Sequence, residues 1–219
     1  MSKAPKVVGF KELSFWQEDG IGVITVLTDN EGNVTPNFFQ EFLKVISIAI
    51  TDDKVKTVAI TGSNESYFLN EFRKNDELGE MELLQLCSTT LKFLGTMEKP
   101  IFTLANAKCK DLGLELALLS DVILASESAE FLISNDYLPK MGLSKTISRF
   151  SSFKFGKAEE GRNCDRVFEQ EKFLDISNDF ILSNLNLYMP MVRRNRLGDL
   201  ENLINYEHSS YMRKRNTFQ

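Results

Sequence analysis

Few side chains in this sequence suit covalent or metal chemistry. Among 219 residues there is one histidine, His208, and three cysteines, Cys87, Cys109 and Cys164. A Ser-His-Asp triad would depend on that single late imidazole, and a metal site built on several histidines is excluded. No C-x-x-C pair occurs, so neither a zinc site nor a disulfide framework is indicated, and three reduced thiols are expected. Cys109 lies between Lys108 and Lys110, but no histidine is near it in sequence to serve as a general base. No G-x-S-x-G is present for a serine nucleophile.

The composition bounds what must position any site. Hydrophobic residues are 42% and charged residues 26%, ordinary for a soluble globular protein. The length allows one large domain, or one domain and an appendage. No apolar run approaches the roughly 20 residues needed to cross a bilayer. MSKAPKVVGF lacks the apolar core of a signal peptide, so a cytoplasmic protein without membrane partners is expected. The net charge is −5 and uneven. Arg193, Arg194, Arg196, Arg213, Lys214 and Arg215 outnumber Asp199, Glu201 and Glu207, so that stretch is +3 and the rest −8. Such a tail could meet a phosphate-bearing ligand or an acidic neighbouring subunit, or be a solvated helix face. An acidic body without a binding motif argues against nucleic acid.

Strands alternate with helices along the chain. GIGVITVL (20–27) is β-branched and bounded by Asp19-Gly20, which predicts a strand. Thr35-Pro36-Asn37 opens a helix, with Phe38, Phe39, Phe42, Ile46 and Ala49 at helical spacing. Val55 to Gly62 reads as a strand, 63–79 as irregular, Glu80 to Thr96 as a helix, and Ile101 to Ala105 as a strand. After a turn, Leu112 to Leu119 is apolar almost all round and reads as a buried helix. Asp121 to Ser126, Glu130 to Ile133 and Arg166 to Phe168 read as strands, and Tyr137 to Gly161 as helix and loop. Asp175 to Asn186 and Leu197 to about Arg215 read as terminal helices. The class is α/β.

The order of these segments carries more than their periodicity. TVAITG, then YF, then KPIFTLANA, then GLELALLSDVILASESAEF, then RVF and a helical tail, resembles the enoyl-CoA hydratase/isomerase (crotonase) family. The strongest stretch is Lys99 to Phe131, where GLELAL is joined to Asp121, Ala125, Ala129 and Phe131 at family spacing. The resemblance implies a spiral of ββα turns over 1–150 and a shortened helical C-terminal region, 151–219, that makes homotrimers or dimers of trimers. It implies an acyl-CoA or carrier-bound acyl thioester as partner, with coenzyme A as part of the substrate and no separate cofactor, and lyase or isomerase chemistry.

That chemistry needs two backbone N–H donors for a thioester oxyanion and one or two carboxylates beside the acyl carbons. The resemblance puts the first donor on Phe72, after Glu71 in place of a glycine. It puts the second on Leu112, in a run where only Gly113 remains of three glycines. Asp111 is placed as an N-cap for Gly113 or Leu114, competing for those donors. Glu115 matches the first catalytic glutamate. The second falls on Asn135, an amide that exchanges no proton at neutral pH. Asp136 is adjacent but, on an extended segment, would face the other way. The family's P-G-x-G-G-T segment is absent, and 149–166 is shorter than the family's by about a dozen residues, which removes or reduces a helix that roofs the acyl pocket.

Two readings follow. In one, the protein is an enzyme with Glu115 as its sole acid/base. In the other, it is a catalytically inert pseudoenzyme kept for oligomerisation or ligand binding, and Glu115 is structural. Three departures concentrated on one pocket favour the inert or strongly altered reading. The apolar series Leu182, Leu185, Leu187, Met189 and Met191 in the tail favours an oligomer.

Overall fold

The computed structural model describes residues 8–63, 65–73, 79–137, 140, 155–158 and 164–196. It opens with three antiparallel strands, β1 (Val8–Gly9), β2 (Leu13–Glu18) and β3 (Ile21–Val26). Asp19 and Gly20 join β2 to β3 with φ of 47° and 87°. Two successive positive φ values make the tight turn whose twist matches the paired strands, and Asp-Gly tolerates it. Helix α1 (Asn37–Thr51) follows, then β4 (Thr57–Gly62), β5 (Tyr67–Leu69) and α2 (Glu80–Thr96). Next come β6 (Ile101–Ala105), β7 (Lys108–Lys110) and the short helix α3 (Leu112–Leu118). Strands β8 (Val122–Ser126), β9 (Glu130–Leu132), β10 (Gly156–Lys157) and β11 (Arg166–Phe168) lead through a 3-10 turn to α4 (Phe173–Arg196).

Two sheets result. The larger runs β1-β2-β3-β4-β6-β8-β11, parallel from β3 onward, and the smaller runs β10-β9-β7-β5. Each turn of the chain places one strand in the large sheet and the next in the small one. Thus β4 is followed by β5 and α2, β6 by β7 and α3, and β8 by β9: a ββα spiral. Strands β4, β6 and β8 are buried along their whole length, because the large sheet is covered on both faces. One face packs Phe38, Phe39, Phe42, Leu91 and Leu114 of α1–α3. The other packs Phe102, Leu104, Val122 and Leu124 beneath Phe173 and Ile181 of α4.

Buried polar groups tie the elements together. The Glu41 carboxylate on α1 accepts the Lys11 and Glu12 N–H groups at 3.1 and 2.7 Å, and Glu12 in turn accepts the Thr35 N–H at 2.8 Å. The Lys99 ammonium donates to the Ala49 and Asp52 carbonyls at 2.6 and 2.8 Å, closing the C-terminus of α1.

The structure corrects several expectations. The irregular stretch 63–79 contains β5, and the turn after Ala105 contains β7; three-residue strands are too short for periodicity to reveal. The hairpin strand β2 precedes the first strand expected. The helix expected over Asp175 to Asn186 runs from Phe173 to Arg196. His208, the helix expected over Leu197 to Arg215, and most of Tyr137 to Gly161 lie outside the described residues.

Candidate functional site

The site begins where α3 meets β5. A Cβ on Gly113 would lie 2.1 Å from the Leu69 carbonyl oxygen and 2.7 Å from its carbon, both fixed backbone atoms. Only glycine permits this approach, and the Gly113 N–H uses it to donate to the Asn70 carbonyl at 3.3 Å. The chain after Asn70 is held by a bridge to Val34. The Val34 N–H donates to the Glu71 carbonyl at 3.0 Å, and the Arg73 N–H to the Val34 carbonyl at 2.7 Å. Alternation along the strand therefore turns the Phe72 N–H away from Val34. The Phe72 ring packs on Phe39 with centroids 5.5 Å apart. Phe72 and Leu112 thus flank the Asn70–Gly113 contact from its two sides. Among the described residues, no hydrogen bond is formed by either N–H.

Asp111 stands at the N-cap position of α3 and its carbonyl accepts the Glu115 N–H at 3.1 Å, but its carboxylate makes no bond to the first turn. It accepts instead from the Ser134 N–H at 2.6 Å and the Ser134 hydroxyl at 2.7 Å, with the Lys110 ammonium 3.8 Å away. The reason lies in the small sheet. The Asp111 N–H continues the β7–β9 pairing by donating to the Leu132 carbonyl at 3.1 Å, which brings the residue to the end of β9, where Ser134 begins the next loop. Asp111 adopts φ 49° and ψ −104°, a conformation that suits glycine and costs about 1–3 kcal/mol otherwise. The two Ser134 bonds hold it there.

Glu115, one turn into α3, is 1% exposed. Its Oε1 accepts a short hydrogen bond from the Tyr137 hydroxyl and another from the Lys140 backbone N–H at 2.8 Å. Lys140 is itself buried. Its ammonium lies 4.5 Å from the centre of the Tyr137 ring and 3.1 Å from Oε1 of Glu71, the half-exposed residue before Phe72. Burial, then the Glu115 charge and hydrogen bond, push the Tyr137 phenol well above its ordinary range. Burial, then Glu115, does the same to the Cys87 thiol on α2, so both groups keep their protons at neutral pH.

Asn135 and Asp136 are exposed, in a turn closed by the Tyr137 N–H on the Ser134 carbonyl at 3.1 Å. The segment is a turn, not the extended strand expected, and Asp136 is exposed in it. Tyr137 is the residue that enters from this loop. The sequence reading missed both Tyr137 and Lys140, which lie 22 and 25 positions after Glu115 with no motif to mark them. Cys109 is fully buried, and burial pushes its thiol far upward, so it offers no nucleophile; Cys164 is pushed to about 11. Among the described residues, no group of His, Cys, Asp or Glu could hold a metal ion. A separate groove of about 320 Å³, lined by Trp16, Glu18, Asp19, Asp175, Asp179 and Leu182, lies on the far face of the large sheet.

No family model matches this sequence, and no curated protein matches it. Solved structures do. An enoyl-CoA hydratase from Mycobacterium avium subsp. paratuberculosis superposes with a TM-score of 0.78 at 18% identity, over 91% of this chain and 92% of that one. An enoyl-CoA hydratase from Bacillus halodurans gives 0.76 at 16% identity, over 92% and 93%. HypX from Aquifex aeolicus, solved with tetrahydrofolic acid, gives 0.77 at 16% identity, over 93% of this chain and 42% of the other. The chain has the crotonase fold. Its ββα spiral is the one that the resemblance, strongest from Lys99 to Phe131, implied. In this crotonase fold, α4 supplies the C-terminal helical region, with Leu182 and Leu187 exposed on it. The side chains of Met189 and Met191 lie outside the described residues, and no helix among those described is long and apolar enough to cross a membrane.

Proposed function

We propose that this protein binds an acyl thioester, of coenzyme A or of a carrier, and does not hydrate it. The observation that carries this reading is the state of Glu115. Its carboxylate is buried with Oε1 held by the Tyr137 hydroxyl and the Lys140 N–H, and Asp136, the acidic residue next to the second position, is exposed. Hydration needs one group to activate water and another to handle the α-carbon proton, and losing a placed acid/base lowers the rate about 10²–10⁴-fold. The Phe72 and Leu112 N–H groups, on either side of the Asn70–Gly113 contact, support thioester binding as the function that remains. With short trans-2-enoyl-CoA, hydration is expected to be absent or very slow, while calorimetry registers binding. Turnover of tens per second or more would overturn the reading.

The inert alternative, an oligomerisation module, is favoured by Leu182 and Leu187 on α4, which are 41% and 68% exposed. Light scattering at micromolar concentration should then give a trimer or a dimer of trimers. A monodisperse monomer would remove that alternative.

A further inference from the structure

We propose that the outer face of α4 is a two-fold contact between copies of this chain, with the acidic groove beside it receiving basic side chains of the second copy. The inference gives the oligomer reading a specific surface and is independent of thioester binding. Phe173, Phe180, Ile181 and Tyr188 pack toward the large sheet, and Ser177 among them is fully buried. At spacings of three and four, Asp175, Asp179, Leu182 and Asn186 therefore lie on the opposite side of the helix, and all four are exposed. The backbone stays helical to Arg196, so the same spacing carries this face on through Met189, Arg193 and Arg196. The side chains beyond Tyr188 lie outside the described residues, and their place on the face follows from the helix backbone alone.

This face reads acidic, apolar, then basic along its length. Asp179 and Arg193 are about 21 Å apart on the helix, with Asn186 midway between them. An antiparallel pair of α4 helices crossing at Asn186 sets Asp175 and Asp179 of each copy against Arg196 and Arg193 of the other. It also covers the exposed Leu182 with the turn that holds Met189. Such a surface is complementary to itself, as a two-fold axis requires, because every contact occurs twice. A parallel pair would oppose acid to acid and base to base. The groove agrees with this pairing. Glu18, Asp19, Asp175 and Asp179 line it beside Trp16, and no basic residue does. Among the described residues, none of these four carboxylates forms an ion pair or a hydrogen bond. Arginines brought there by the second copy meet unpaired carboxylates and an aromatic face.

The test is light scattering on the full chain at micromolar concentration, with the charge reversed at either end of the face. Wild type is expected to contain an even number of chains, as a dimer or a dimer of trimers. Asp175→Lys with Asp179→Lys, or Arg193→Glu with Arg196→Glu, sets like charges opposite one another. Each pair of substitutions should halve the mass and weaken self-association about ten-fold or more. Mixed in equal amounts, the two variants complement each other and should recover the wild-type mass, as should all four substitutions in one chain. Wild-type association should also weaken between about 0.05 and about 0.5 M salt, a measurement that needs no variant to fold. A trimer, a mass that ignores both reversals, a mixture that does not reassemble, or association indifferent to salt overturns the contact and leaves the oligomer reading intact. A monomer overturns both.

Discussion

Gly113 and Asp111 are two residues apart, and they respond to different demands. Gly113 faces the interior of the spiral, where α3 presses on the backbone of β5 and any Cβ would meet the Leu69 carbonyl. Asp111, itself buried, stands at the rim of the small sheet where β7 and β9 end, in a glycine-like conformation held by two bonds to Ser134. Close packing of backbone on backbone admits no substitute, because neither partner can move without moving its strand or helix. A strained turn at the rim admits a substitute provided that local hydrogen bonds compensate. Gly113 therefore stands where the resemblance expects a glycine, whereas Asp111, Leu112 and Glu71 stand at positions where the resemblance would put others.

The contrast is broken most directly at Gly113. Gly113→Ala should destabilise the fold by about 3 kcal/mol, because the added methyl overlaps backbone atoms. A thermal melt checks this, and a wild-type midpoint would show that the junction yields. Glu115→Gln comes next. The amide carbonyl can still accept at the Oε1 position, but the charge that strengthens both hydrogen bonds is gone, and stability should fall by about 1–3 kcal/mol. If Glu115 instead works as a base, wild-type protein would exchange the acyl α-proton with solvent deuterium, and the variant would lose exchange without loss of melting temperature.

At the rim the effects should be smaller, and they divide strain from bonding. Asp111→Ala keeps the positive φ and loses both Ser134 bonds, for a cost of about 2 kcal/mol. Asp111→Gly loses the same bonds but relieves the strain, so it should cost about 1 kcal/mol less. Equal costs in denaturant titrations would mean that the turn is unstrained. The smallest effect concerns alkaline pH. The folded Tyr137 phenol titrates above its unfolded value of about 10, so its contribution is fully present below that value. It is lost as pH rises from the unfolded toward the folded value, since the unfolded chain releases the proton first. Wild-type stability should thus fall above pH 10 more steeply than that of Tyr137→Phe.

Much of the frame was legible because it repeats patterns that local physics enforces. β-branched runs such as TVAITG and IFTLA read as buried strands, the α2 bounds followed from spacing and Lys99-Pro100, and Asp19-Gly20 marked where β3 begins. The strands β5 and β7 were not legible, because they exist through pairing across the chain: Tyr67 to Lys108, and Cys109 to Phe131. The candidate site divided the same way. The order of segments pointed to Glu115, Phe72 and Leu112 as candidates, and spacing alone put Asn135 twenty positions after Glu115. The orientation of Asp111 toward Ser134 could not, since it depends on where β9 ends beside β7.

The sequence by itself determined the α/β class, the order of the longer strands and helices, and an amide, Asn135, twenty positions after Glu115, for these follow from residue type and local spacing. Only the tertiary structure decided what became of the carboxylate that remained. Tyr137 and Lys140 reach Glu115 because the Ser134–Tyr137 turn reverses the chain after β9, and Lys140 meets Glu71 because β5 and the loop after it pass the start of α3. Contacts across 22, 25 and 69 positions have no local signature; they arise when separate elements are packed against one another around a shared buried charge.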